Sequence, residues 1–363
     1  MTAIEIGPES LAEVEEFAGT LFSACLATME LANVELGIRL GLYEALADGS
    51  PTTPGELASK AGIVERYSQE WLEQQVASGV LHVDDPGKPA GDRRFTLTPA
   101  RAHVLLDDDS DACMKPCAAV VPWVSKALDL MVEEFRRGSG VDFGAFDLHD
   151  VQAAFTRPVF ANHLTQHWLP ALPDLQARLD AGEPVRIAEV GCGEGLAAVA
   201  IARRYPNVEV DAFDLDPASV MAAQKAAAEA GVTDRVRFEV RDCSTLAPSS
   251  TYDLVLAIEM LHDVPDPVGV LRSMRALAGT RGAVLVVDER TEETFSTDAS
   301  EMERLFYAFS TLHCLAVSLQ GDGAGTGTVI RSESVRAYAA EAGFDEVEVL
   351  PVEHPQFRLY RLR

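Results

Sequence analysis

Apolar and polar positions along the chain follow two rhythms, and the change between them near residue 180 divides it. In the first part apolar residues recur at the spacing of amphipathic helices. From Leu11 to about Ala47 they include Phe17, Leu21, Phe22, Leu26, Met29, Leu36, Ile38, Leu40 and Leu42. A surface helix needs one apolar stripe; this surplus predicts burial against the rest of the chain or a second copy. Ser10 with Glu13 predicts a capping box after a loose arm over 1–10, and Asp48-Gly49-Ser50-Pro51 predicts the stop. Helices are then expected over 54–61 and from about Glu65 to Ser78, followed by a hairpin of Val80–Val83 and Phe95–Leu97 around a Pro/Gly turn. That order is the winged-helix pattern. Further helical stretches run over 99–106, 112–137 (a roof between domains) and roughly 148–179, with a glycine-rich loop at 138–144.

Past residue 180 the apolar residues gather into short β-branched runs alternating with helices, which predicts a parallel sheet. Strands are expected at Val185–Val190, Val208–Phe213, Val236–Val240, Tyr252–Ala257 and Gly282–Val287. A polar loop (Glu289–Glu301), an aromatic-rich helix (Met302–Leu319) and a glycine loop (Gly321–Gly327) follow. The glycine loop lacks the Lys-Ser/Thr of a phosphate loop; a lid or a connector are its two readings. The last helix, 334–342, precedes a closing hairpin of 344–351 and 357–363, with one antiparallel strand beside parallel neighbours.

Composition changes the picture in three places. At 363 residues the chain has room for two cores. Its formal net charge of −27 disfavours nucleic acid or an anionic membrane as partner. The second helix of the winged-helix segment carries Glu65, Glu70 and Glu73 against a single Arg66, the opposite of a phosphate-facing recognition helix. No apolar run is expected to reach the length of a membrane span, and no signal peptide is evident. Six scattered cysteines read as reduced cytoplasmic thiols, and the acidic turn Asp107–Asp111 lacks the glycine and distal Glu of a calcium loop.

The candidate chemistry centres on Val185–Gly195. A buried strand ends in Gly191, Gly193 and Gly195, and a helix starts at Leu196. Such a turn lets a ligand approach the backbone closely. Asp214 ends the second strand, roughly 20 residues on, where a ribose diol finds its acceptor. Arg241-Asp242-Cys243, Glu259-Met260-Leu261-His262-Asp263 and Asp288 end the next three strands.

This succession resembles the motifs of class I S-adenosylmethionine-dependent methyltransferases. The whole chain is similar to small-molecule O-methyltransferases with an N-terminal winged-helix and dimerisation region. Residues 305–319 look closer to a group of actinobacterial winged-helix methyltransferases. The resemblance implies an α/β fold: a Rossmann-like domain with a seven-stranded, mostly parallel sheet over 181–363. Before it come a mainly helical winged-helix domain (1–110) and a helical connector (111–180). It implies S-adenosylmethionine as cofactor, S-adenosylhomocysteine as product and no metal. The cofactor set would be Glu189, Gly191, Cys192, Gly193, Gly195, Asp214, Leu215, Asp242 (to the adenine amino group), Cys243 and Glu259, the last on the cofactor or the acceptor. Leu261-His262-Asp263 matches the element bearing the catalytic histidine, and Asp288 would orient that base. Two positions depart from the family: Val264 replaces the usual Trp, and Cys192 stands where glycine is frequent. Phe160, His163, His167, Tyr307 and His313 are candidate acceptor contacts. The His163/His167 pair has metal spacing but no neighbouring carboxylate in its segment. The expected protein is a cytoplasmic homodimer, paired through its N-terminal helices, that methylates a small, partly apolar acceptor. A non-methylating enzyme of the same fold and a cofactor-responsive regulator stay open.

Overall fold

A computed structural model describes residues 7, 10–246 and 251–363. The arm read over 1–10 lies outside them, apart from Gly7 and Ser10. The chain divides into two compact units, Met1–Pro122 and Trp123–Arg363.

The first unit opens with α1, Leu11–Arg39, shorter than the expected run to Ala47. Gly41, at φ 66°, turns the chain, and a 3-10 turn at Glu44–Leu46 carries it onward. The capping box at Ser10 does not form: the residue is itself helical, at φ −93° and ψ −3°, so its hydroxyl cannot reach the third amide. Thr53 does form one with Glu56, at the head of α2 (Pro54–Ala61). α3 (Glu65–Ala77), the hairpin β1 (His82–Val83) with β2 (Phe95–Thr96), and α4 (Pro99–Leu106) complete the winged-helix arrangement. Its core joins Tyr43, Leu46, Leu57, Trp71, Leu72, Phe95 and Leu97. Trp71 fixes α1 to α3, because its Nε1 donates to the Asn33 carbonyl at 3.0 Å and its ring lies over Gly37.

Little else on α1 is buried; Phe17 is 63% and Phe22 71% exposed. The expectation that nothing reaches the length of a membrane span needs correction here. α1 is long and apolar enough by length and composition, with mean hydropathy 1.3 in its best window. Glu30 and Glu35 interrupt the run, which is why the sequence does not show it as continuous.

α5 (Lys115–Arg137) and α6 (His149–Val159) lead into a π-helical segment, Phe160–Trp168, and then α7 (Pro173–Asp180). With the 3-10 turn at Leu169–Ala171, the single helix expected over 148–179 is thus four pieces of three windings. The second unit then builds β3 (Val185–Val190), α8 (Leu196–Arg204), β4 (Val208–Asp214), α9 (Pro217–Ala230), β5 (Val236–Val240), β6 (Leu254–Ile258), α10 (Pro267–Ala278) and β7 (Ala283–Glu289). α11 (Glu301–Phe309), a π turn at Ser310–Cys314 and α12 (Leu315–Ser318) replace the one helix expected over 302–319. α13 (Ser332–Glu341), β8 (Val347–Val349) and β9 (Phe357–Leu362) end the chain.

The seven strands lie in the order β5-β4-β3-β6-β7-β9-β8, all parallel except β9, which runs antiparallel to β7 and β8. Successive residues feed opposite layers, as strand geometry requires. Val185 and Ile187 pack towards α7, α8 and α9, whereas Ala188 and Val190 pack towards α10 and α13.

Enlarging Gly37 tests the joint between α1 and α3, since a Cβ there overlaps the Trp71 ring and lies 2.8 Å from Tyr43. Gly37→Leu should lower urea stability of the first unit by about 1–3 kcal/mol. An unchanged midpoint would show that Trp71 does not hold α1.

Candidate active site

Parallel register brings the carboxyl ends of β3, β4, β5 and β6 to one edge, where a cavity of about 500 Å³ opens. The glycine turn after β3 forms one side. Gly195 (φ 72°) is there for packing: a Cβ would lie 2.6 Å from Phe238 and 2.8 Å from Ala223. Gly193 (φ 50°) instead has open space where its Cβ would stand, so this side of the turn is free for a ligand. Asp214 ties the turn to β4, its Oδ2 accepting from Gly193 N at 2.8 Å and its Oδ1 from Asp216 N at 2.9 Å. Asp242 accepts from Ser244 N at 2.9 Å, and burial pushes the neighbouring Cys243 thiol up to about 12.

Two carboxyl groups are left with unmet demands. Burial pushes Glu189 up to about 8, and its Oε2 has no hydrogen-bond partner. Burial also pushes Glu259 up to about 8, and its Oε2 is equally unpartnered. Glu259 holds φ at 54°, a conformation that side-chain-bearing residues adopt only where the surroundings impose it. Nine acidic residues line the cavity and, among the described residues, no lysine or arginine does. Buried carboxylates without cations need a cation or a proton. A ligand carrying a sulfonium and an ammonium group fits that donor set.

Of the sequence candidates, Phe160, Glu189, Gly191, Cys192, Gly193, Asp214, Leu215, Asp242, Cys243, Glu259 and Asp263 line the cavity. His163, His167, Tyr307 and His313 do not. His163 lies edge-on to His354 at 4.7 Å, and His167 is exposed. Tyr307 Oη accepts from Arg331 Nη2 at 2.9 Å, and His313 is buried among Phe146, Phe143 and Trp123. His163 and His167 do pair, their ring centroids 5.7 Å apart in the π-helical segment, but neither lines the cavity, and Tyr307 is turned to Arg331 from the α-helix α11. The cavity also takes Met260, from the element after β6, and Phe143, His149, Gln152, Thr156, Val317 and Gln320, which no sequence motif marks.

His262 sits behind the wall, 2% exposed. Its Nδ1 lies 2.7 Å from Asp288 Oδ1 and 2.9 Å from Glu289 Oε2, and its Nε2 lies 3.4 Å from Asp263 Oδ1. Burial opposes charge on the ring, but Glu289, Asp263 and Asp288 outweigh it and hold the imidazole well above its ordinary value. Glu289, read in sequence as the start of a polar loop, is the last residue of β7 and is buried. Burial keeps its carboxyl well above the ordinary range. His262, Asp288 and Glu289 place donor atoms within 4.8 Å, as do His262, Asp263 and Cys314. A hydrogen-bonded imidazolium–carboxylate cluster meets the same distances without an ion.

Comparison with known proteins agrees with this geometry. Residues 183–332 match the family described as "Methyltransferase domain", and residues 25–106 the "Rv2258c-like winged HTH domain". A ubiquinone biosynthesis O-methyltransferase of Paracidovorax citrulli is 35% identical over 138 residues, 37% of this chain and 53% of the relative. Norajmaline N-methyltransferase of Rauvolfia serpentina is 30% identical over 122 residues, 33% of this chain and 41% of the relative. The chain thus spans about half the length of the curated relatives it matches. The solved structure of the mitomycin 7-O-methyltransferase MmcR superimposes with a TM-score of 0.66 at 21% identity, covering 98% of this chain and 99% of that one, a likeness of fold. Residues 183–332 are therefore a methyltransferase domain and residues 25–106 a winged helix-turn-helix domain, and the chain shares the fold of that solved structure.

The buried charges give stability a definite pH dependence. Glu189, Glu259, Glu289 and His262 all have folded-state values above their unfolded ones, so the folded chain holds more protons. The favourable part from His262 is complete below its unfolded value and disappears as pH rises through the higher folded one. The cost of Glu189 and Glu259 grows as pH climbs from their unfolded values towards about 8, and Glu289, also raised, adds in the same direction. Stability without ligand should therefore fall between about pH 4.5 and 8. The urea midpoint measured across that range checks it, and Glu189→Gln and Glu259→Gln should each flatten the decline.

Proposed function

We propose that the chain methylates a small, partly apolar acceptor, most simply on oxygen, with S-adenosylmethionine as donor and S-adenosylhomocysteine as product. The observation that carries this is the free side of Gly193, flanked by Asp214 at the tip of β4 and by the unpartnered carboxyl of Glu189. Asp214 takes the ribose diol, Asp242 the adenine amino group, and Glu189 with the glycine turn the ammonium end. The bound cofactor supplies an electrophilic methyl on a positively charged sulfur. Phe143, Phe160, Met260 and Val317 supply apolar wall, so the chain's own contribution is orientation and exclusion of water. A homodimer through the exposed apolar face of α1 and a cytoplasmic location complete the reading. The named relatives, acting on oxygen and nitrogen of small molecules, support the acceptor class.

An oxygen acceptor must lose a proton. Asp263 lies on the cavity wall with His262 behind it, at 3.4 Å, so the pair is the place for that proton, with Asp288 and Glu289 orienting the ring. A histidine serves as base only when neutral. Because its neighbours raise its pKa, the rate should keep climbing with pH beyond the usual imidazole range. One observation favours a second reading. His262 does not line the cavity and is held in its charged form, as suits a positioning residue and an acceptor bearing its own lone pair, such as an amine.

Gly193→Val and Asp214→Ala should each weaken S-adenosylhomocysteine binding in calorimetry, and unchanged affinity in both would refute the cofactor site. His262→Ala should lower turnover by about 10²–10⁴-fold with cofactor affinity retained and the rise with pH abolished. Near-normal turnover would select the amine reading.

A further inference from the structure

The opposite edge of the same sheet carries a second, larger concavity of about 920 Å³, formed where β6 and β7 begin and β9 ends. Its rim holds Arg178, Arg272, Arg275, Arg281, Arg361 and Arg363, against Asp174 and Asp253. Six of the chain's 30 basic residues thus face one groove in a protein of net charge −27. Three are engaged by acids: Arg178 with Asp253 at 2.7 Å, Arg272 with Glu341 at 3.7 Å and Arg363 with Glu348 at 2.9 Å. Among the described residues, Arg275, Arg281 and Arg361 form no ion pair. Glu348 stands opposite Arg361 in the β8–β9 register but is taken up by Arg363. Three guanidinium groups without carboxylates, in so acidic a chain, do not follow from its average charge.

We propose that this groove binds a small organic di- or triphosphate. Guanidinium forks match phosphate oxygens two at a time, and three unengaged forks call for more than one negative charge. The volume is within the range of small-molecule sites. Ala276, Ala283 and Phe344, which also line it, give apolar surface for the organic part. β6 separates the groove from the methyl-transfer cavity: Asp253 before the strand faces one and Glu259 after it the other, about 20 Å away along the chain direction. Occupancy of the groove is therefore independent of the cofactor site, and so is the inference.

Calorimetry of the full chain with inorganic triphosphate and with ATP, at low and moderate salt, tests it. Saturable, salt-weakened binding is expected, tighter for ATP because of its organic part. The double variant Arg281→Ala/Arg361→Ala should lose more than about tenfold in affinity. The control Arg136→Ala, an exposed arginine of α5 outside the groove, should lose nothing. S-adenosylhomocysteine affinity should be the same in all three proteins, which shows the double variant to be folded and keeps the two sites' fates apart. Absence of triphosphate and ATP binding at about millimolar concentration, or equal affinity in the double variant, overturns the proposal.

Discussion

The register between β3 and its neighbours is the constraint on which the rest depends. Ile187–Glu189 pair with Leu254–Leu256 on one side, and Val185–Val190 with Val208–Phe213 on the other. Because all these strands are parallel, residues that follow them in sequence arrive together in space. Gly191, Asp214, Asp242 and Glu259 meet for that reason alone, and β7 adds Asp288 and Glu289 through the pairing of Ile258 with Val287. A slip of one residue in any strand would turn these groups into the layers and bring apolar side chains to the edge. The alternating burial along β3 and β6, into two separate cores, holds that register.

Concentrating acids at one strand edge creates an electrostatic cost that the rest of the site is arranged to offset. His262 is the one ring placed among Asp263, Asp288 and Glu289, and its N–H at Nδ1 can serve only one of the two carboxyls it faces. Asp288 Oδ2 and Glu289 Oε2 are left without donors. Protons on Glu189, Glu259 and Glu289 are the cheaper answer in the absence of a ligand, which is why all three are raised. A cationic ligand offers a better one, because charge placed beside Glu189 stabilises the carboxylate that burial disfavours. Affinity for a sulfonium cofactor and reduced stability without it thus have one origin.

Much of this edge was legible in the sequence because its determinants are local. A glycine at Gly193 or an acid at Asp214 is recognisable from a few neighbours, and the strand pattern supplies their direction. The legibility ends where winding departs from the α-helix. His163 and His167 read as a pair, and in the π-helical segment Phe160–Trp168 their rings do lie 5.7 Å apart, but His163 packs against His354 and neither reaches the cavity. Glu289 escapes the sequence reading because a charged residue after a strand reads as loop, whereas β7 continues two residues past Val287 and buries it beside the His262 imidazole. His149, Gln152 and Gln320 come from loops and helix ends that no periodicity points inward. Ser10 shows the same limit on a small scale: a capping sequence reports a preference, and the helical geometry adopted there leaves it unused.

The two edges of the sheet carry opposite charge, and this bears on what reaches each of them. With nine acids and, among the described residues, no lysine or arginine at the cavity on the carboxyl edge, an anionic molecule meets repulsion there before it meets any specific contact. The arginine-rimmed groove has the reverse field. An acidic chain does not acquire such a division from composition, because its 57 acidic and 30 basic residues, spread evenly, would leave both edges negative. Acids follow the carboxyl ends of β3, β4, β5, β6 and β7, while Arg281 and Arg361 fall where β7 begins and β9 ends, and the antiparallel run of β9 is what brings Arg361 to that edge. Strand direction, then, sorts the charges as well as the motifs, and the same topology that assembles an acidic cavity for a cation leaves its far edge suited to an anion.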